Sequence, residues 1–240
     1  MNLYELTVND TEKIALTDLF FSDKNKAALA QTIKEHTYLE DLKKYNLQVD
    51  NKILLHGHSG CGKTTTAKAI ATALNKSIVI INLSTLINAK IGETSRNVKT
   101  IFDKAIREKA VLFLDEFDQI GKSRDSEDKD VAEMKRLVNT IIQLIDYLPS
   151  ESLLICATNH YHSIDTALLR RFQLKLKFEL PDENQLDVYY DKILAPFPEH
   201  LQDIPRKYTI SYAEAKDYVN TEMKRQIIAE LELANKKERV

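Results

Sequence analysis

Four short apolar runs, Lys52–His56, Ser77–Ile81, Ala110–Leu114 and Ser152–Ala157, are separated by longer stretches with helical spacing. The runs do not alternate apolar with polar residues, so each reads as a strand buried on both faces. The stretches between them, among them Lys63–Leu74, Ser95–Lys109 and Glu133–Leu148, are long enough to cross back over a sheet as helices. Buried strands interleaved with helices predict a parallel sheet built from β-α units. A fifth strand is expected at Gln173–Glu179, where Leu174, Leu176 and Phe178 alternate with lysines, a pattern suited to an edge with one wet face.

Outside this pattern, residues 24–45 read as one helical segment, with Ala28, Leu29, Ile33, Leu39 and Leu42 near helical spacing. Pro181 ends the fifth strand. Beyond it, Asp182–Leu194 and Ser211–Asn235 look like amphipathic helices joined by a loop from Pro196 to Pro205. The expected organisation is an α/β core over residues 1–181, including the N-terminal helical segment, and a helical lid over residues 182–240. The last residues, Lys236–Val240, are expected to fray.

Composition narrows the function classes. With 43% hydrophobic and 29% charged residues the chain is too apolar for wholesale disorder. A formal net charge of -2 gives no global electrostatic case for nucleic acid as the main partner. Cys61 and Cys156 are far apart and form neither a metal-ligand nor a disulfide framework, which suits a reducing compartment. The N-terminus is polar and acidic, unlike a signal peptide, and no apolar run approaches the roughly 20 residues of a membrane span. A cytoplasmic location with no membrane partner is the expectation.

The first strand runs into Gly57-His58-Ser59-Gly60-Cys61-Gly62-Lys63-Thr64, which satisfies G-x-x-x-x-G-K-[ST] in full, and Thr65 continues into a helix. Glycines let the backbone curl so that successive N–H groups face phosphate oxygens, and the following helix adds its positive dipole. Lys63 would supply a charge for the β- and γ-phosphates and Thr64 a hydroxyl for Mg²⁺. Gly57 to Thr65, together with Asp115, are therefore the candidate nucleotide contacts, and Thr64 and Asp115 the candidate metal ligands. Cys61 is open to two readings: a thiol activated by the helix terminus and Lys63, or a small filler whose backbone alone matters.

Val111–Leu114 ends in Asp115-Glu116, placing two carboxylates at the sheet edge where open α/β sheets bind ligands. Asp115 would hold the hydration shell of Mg²⁺, and Glu116 would act as general base on the attacking water. Ile155-Cys156-Ala157 ends in Thr158-Asn159; Asn159 would orient that water and Thr158 would share the task, with a capping or turn role the competing reading for either residue.

These residues resemble the AAA+ ATPases, particularly the AAA clade. Gly57–Thr64 is similar to their Walker A motif and Leu112–Glu116 to Walker B. Thr158-Asn159 through Asp165, Ala167 and Leu168-Leu169-Arg170-Arg171-Phe172 is similar to their second region of homology. The resemblance covers approximately Leu16 to the end. It implies a P-loop NTPase core with a five-stranded parallel sheet between helices, a small C-terminal helical lid, and a homo-oligomer that is usually a hexameric ring. It also implies that Arg170 and Arg171 are arginine fingers reaching a neighbour's ATP.

Three departures qualify the resemblance. Lys90-Ile91-Gly92-Glu93 stands where threading members carry an aromatic residue before an aliphatic one and glycine, so Lys90 would suit an acidic or polar client. Ser211-Tyr212-Ala213 lacks the lid arginine of many wider relatives. Only about fifty residues precede the phosphate loop, with no recruiting domain, so a separately encoded partner is expected. Lys122–Asp130 falls where a second pore loop often lies, and a solvated loop is an equal reading. The resulting expectation is an ATP-hydrolysing motor that remodels a macromolecular, most simply protein, client. An ATP-dependent assembly switch and a nucleic-acid-linked loader are the alternatives.

Overall fold

The computed structural model describes residues 8–10, 12–88, 91–120 and 129–237. Lys90, residues 122–128 of the charged stretch and residues 238–240 of the tail expected to fray lie outside them.

The apolar runs form strands β2 (Lys52–Gly57), β3 (Ile78–Asn82), β4 (Val111–Asp115), β5 (Leu153–Thr158) and β6 (Leu174–Phe178), preceded by a short β1 (Val8–Asp10). They make one sheet in the order β1-β3-β4-β5-β2-β6, in which the last five are parallel. The strand carrying the phosphate loop thus lies between β5 and β6, with Ile53 opposite both Ile155 and Leu174. All six residues of β5 are buried, which is why that run reads without alternation. Edge strand β6 instead shows exposed Lys175 and Lys177 between its apolar residues. β1 pairs antiparallel with β3 and is unforeseen, because Val-Asn-Asp is too short and polar to register as a strand.

The helices are α1 (Asp23–Thr37), α2 (Leu39–Lys44), α3 (Lys63–Ala73), α4 (Leu83–Asn88), α5 (Ile91–Arg107), α6 (Lys129–Asp146), α7 (Thr166–Leu169), α8 (Glu183–Leu194) and α9 (Tyr212–Lys237). The single helical segment expected at 24–45 is two helices. Ser22 caps the first, its hydroxyl accepting from the Asn25 amide at 3.3 Å. At the other end the Thr37 hydroxyl bonds back to the Ile33 carbonyl at 2.7 Å, and Tyr38 leaves the helix at φ -100, ψ 21. Such back-bonding bends helices, and adjacent Thr and Tyr are poor helix formers.

Contacts divide the chain into two compact units, residues 1–57 with 63–178, and residues 58–62 with 179–240. In the first, Val98, Ile101, Phe102 and Ala105 of α5 and Leu137, Val138, Ile141 and Ile145 of α6 recur at helical spacing. They pack with Leu54, Val79, Leu112 and Leu154 of the sheet. In the second, Leu186, Tyr190 and Leu194 of α8 meet Ala215, Val219 and Met223 of α9, with Leu201 and Ile204 from the loop between them. A capping box at Asp182 and Gln185 starts α8.

Candidate nucleotide-binding and hydrolysis site

The phosphate loop leaves β2 at Gly57, where φ is +132 and a Cβ would stand 1.9 Å from the Phe178 carbonyl oxygen. No side chain fits there, so the close pairing of β2 with β6 itself requires glycine. Gly60 is equally constrained: at φ +72, its Cβ would meet the Ser211 hydroxyl at 2.5 Å, and its carbonyl accepts from the Ala213 amide at 3.1 Å. Ser211 and Glu214 cap the start of α9 reciprocally, with the Ser211 amide donating to Glu214 Oε2 at 2.7 Å. Ser211 and Ala213 therefore fix the middle of the phosphate loop. Cys61 is buried there, its Sγ 3.6 Å from the Ser59 carbonyl oxygen.

Lys63 opens α3. Its ammonium donates to the Gly57 carbonyl at 3.0 Å, and the residue is almost wholly buried. The next residue, Thr64, donates its hydroxyl to Asp115 Oδ2 at 3.2 Å, joining the phosphate loop to the end of β4. Asp115 Oδ1 accepts the Glu116 amide at 2.9 Å. Burial raises the Asp115 carboxyl above its ordinary range; the hydrogen bonds from Glu116 and Thr64 oppose that rise. Two hard oxygen donors, a hydroxyl and a carboxylate, are thus held together, a set that suits Mg²⁺ completed by water and phosphate.

Glu116 adopts φ +55, the left-handed region, and its carbonyl accepts from the Gln119 amide at 2.9 Å. For a non-glycine residue this backbone costs about 1–3 kcal/mol and persists only where surroundings impose it. Here they are buried Phe117 and Asp118. The Phe117 ring meets Phe172 edge-on at 5.4 Å, and Asp118 accepts the Thr158 hydroxyl at 2.8 Å. Thr158 also accepts from the His160 amide at 2.9 Å. Of the two polar residues ending β5, Thr158 is therefore buried and consumed by structure, whereas Asn159 is exposed. Sequence reasoning missed Asp118; the signal was a third acid two residues after Glu116. His56 stacks on Tyr161 at 4.2 Å, its proton affinity lowered by burial, then by Lys177, Lys63 and His162.

The last two predicted residues have no hydrogen bond or ion pair to Lys63, Thr64, Asp115 or Glu116 among the described residues. Arg170 is exposed, and Arg171 is engaged by Asp146 through Nε at 2.7 Å and Nη2 at 3.0 Å.

A glycine-rich loop between strand and helix, facing an acid-ended strand of a parallel sheet, defines a P-loop nucleotide-binding protein. The chain belongs to the AAA ATPases: the model of the ATPase family associated with various cellular activities matches residues 53–180. It is 34% identical over 165 residues to the uncharacterised AAA family ATPase y4kL of Sinorhizobium fredii, covering 69% of this chain and 50% of that one. It is 32% identical over 188 residues to a proteasome-associated ATPase of a Nocardioides species, covering 69% of this chain and 32% of that one. The chain thus spans half the length of the first relative and a third of the second. The crystal structure of the FIGL-1 AAA domain shares the fold, with a TM-score of 0.72 at 22% identity over 89% of this chain and 72% of that one. Among the described residues, no helix is long and apolar enough to cross a membrane.

Proposed function

We propose that this chain is an ATP-driven motor that works as a homo-oligomer and remodels a protein client. The observation carrying this reading is the 3.2 Å hydrogen bond between Thr64 and Asp115, which joins a phosphate loop to a strand that ends in paired acids. Lys63 and the amides from Gly57 to Thr65 bind the triphosphate, and Lys63 exchanges its Gly57 carbonyl for phosphate oxygens. Thr64 and Asp115 would hold Mg²⁺, Asp115 through water, and the ion would offset charge on the β- and γ-phosphates. Glu116 accepts a proton from the attacking water as the bond to the β–γ bridging oxygen breaks, giving ADP and phosphate. Asn159 orients that water. An arginine from the Arg170-Arg171 pair of a neighbouring subunit neutralises transition-state charge. The proteasome-associated relative favours protein as the client class.

Turnover per subunit, measured from dilute to assembled protein with mass followed by light scattering, tests the oligomeric part. It should rise together with assembly. A constant rate while the mass changes would contradict completion by a neighbour and favour a switch that merely resets by hydrolysis.

A further inference from the structure

Arg170 and Arg171 are adjacent, yet the fold treats them oppositely. Three of the Arg171 guanidinium nitrogens have acceptors in the same chain. Nε donates to Asp146 Oδ1 at 2.7 Å, Nη2 to Asp146 Oδ2 at 3.0 Å, and Nη1 to the Ala167 carbonyl at 2.6 Å. The planar fork is matched by both carboxylate oxygens, the strongest geometry an arginine has. Reaching anything else would break all three bonds. Arg170, in contrast, is exposed, with no ion pair among the described residues.

The flanking residues hold this division in place. Asp165 caps α7, accepting the Ala167 amide at 2.6 Å. Leu168 and Phe172, on either side of the arginine pair, are each 1% exposed, and the Phe172 ring meets Phe117, the neighbour of Glu116. The segment is therefore pinned at its start, at Leu168, at Arg171 and at Phe172. Arg170 is the cation it leaves directed outward.

We infer that Arg170 alone reaches the neighbouring subunit's nucleotide, while Arg171, clamped by Asp146, is a positioning residue that fixes the backbone from which Arg170 projects. The inference rests on the reading of an ATP site completed by a neighbour, and it divides between two residues a role that the sequence assigns to both.

The test compares Arg170→Ala, Arg170→Lys, Arg171→Ala and Asp146→Asn in the full chain, with steady-state ATPase, thermal melting and light scattering on each. A second arm mixes Arg170→Ala with Glu116→Gln subunits. Arg170→Ala should lower kcat about 10³-fold or more. Arg170→Lys should not restore it, because an ammonium lacks the planar fork. Arg171→Ala and Asp146→Asn should lower kcat alike, by about tenfold and well short of the Arg170→Ala loss, because both loosen the backbone from which Arg170 projects, while lowering Tm by about 2–4 °C. Mixing should recover activity, since one variant supplies Glu116 and the other Arg170. If Arg171→Ala loses kcat as Arg170→Ala does while Asp146→Asn keeps it, Arg171 acts on nucleotide and the assignment is overturned. If Asp146→Asn alone raises kcat severalfold, the clamp restrains a working finger and the assignment again fails. If Arg170→Ala keeps its rate and mixing gives no recovery, the neighbour-completed site itself is wrong and the inference falls with it.

Discussion

The α/β unit and the helical unit bury their apolar residues by different means. In the first, β2, β4 and β5 are covered on both faces, so Ile53, Leu54, Leu55, Phe113 and Ile155 are each 0% exposed. In the second, eight residues form the core, and polar contacts surround them. The Tyr190 hydroxyl donates to the Lys207 carbonyl at 3.0 Å, and Arg206 pairs with Asp187 at 2.8 Å and also with Asp191. Past Met223, α9 has no buried residue up to Asn235, and Ile228, Leu231 and Leu233 are exposed there. A packed sheet resists deformation, whereas a small core with a hydrogen-bonded periphery opens at lower free energy. The proposed chemistry accordingly falls at strand ends in the α/β unit, where Asp115 closes β4, Glu116 follows it and Asn159 follows β5.

This contrast can be broken experimentally. Phe113→Ala, in the centre of the sheet, should cost about 3–5 kcal/mol in a urea titration, because a cavity adds to the lost transfer energy. Tyr190→Phe should cost only about 1–2 kcal/mol, because it removes the two hydrogen bonds of the hydroxyl with Lys207 and leaves the packing intact. Its signature is faster amide exchange over residues 183–210, with exchange in β4 and β5 unaltered. Equal costs for the two variants, or exchange rising together in both units, would show that the molecule opens as one cooperative body.

The smallest effect concerns a polar exception within the α/β unit. His36 is buried, its Nε2 lies 3.0 Å from the Asp50 carbonyl oxygen, and its Nδ1 has no hydrogen-bond partner among the described residues. Burial is the main cause holding its pKa below 6.5. The unfolded chain therefore takes up the proton first, so stability falls as pH drops below 6.5 and continues to fall until the folded imidazole also titrates. His36→Gln should flatten that part of the pH–stability profile, read as Tm between about pH 6.5 and 5. An unchanged slope would place the acid sensitivity elsewhere.

The strands were legible because burial on both faces leaves unbroken apolar runs, and the phosphate loop because its glycines answer a local steric demand. Gly57 and Gly60 show this: at φ +132 and +72 they hold backbone conformations that other residues rarely adopt. What escaped the sequence depends on distant pairing. β1 exists because Val8 finds Ile80, and its own three residues carry no pattern. Thr158 and Asn159 look alike in sequence and are separated only by Asp118, which claims the first. Arg170 and Arg171 are separated only by Asp146, 25 positions from Arg171. The break at Tyr38 was half visible, in the Thr37-Tyr38 pair itself.

The central claim is that the phosphate loop and the acids ending β4 form one hydrolytic centre with Glu116 as its base. Single-turnover hydrolysis of Mg-ATP by wild type and Glu116→Gln, with protein in excess so that all nucleotide is bound and with affinity measured on the same samples, tests it most directly. The account predicts that the variant binds ATP within a few fold of wild type, while its rate constant falls by about 10²–10⁴. Hydrolysis at the wild-type rate with ATP equally bound would contradict it and remove Glu116 from the chemistry.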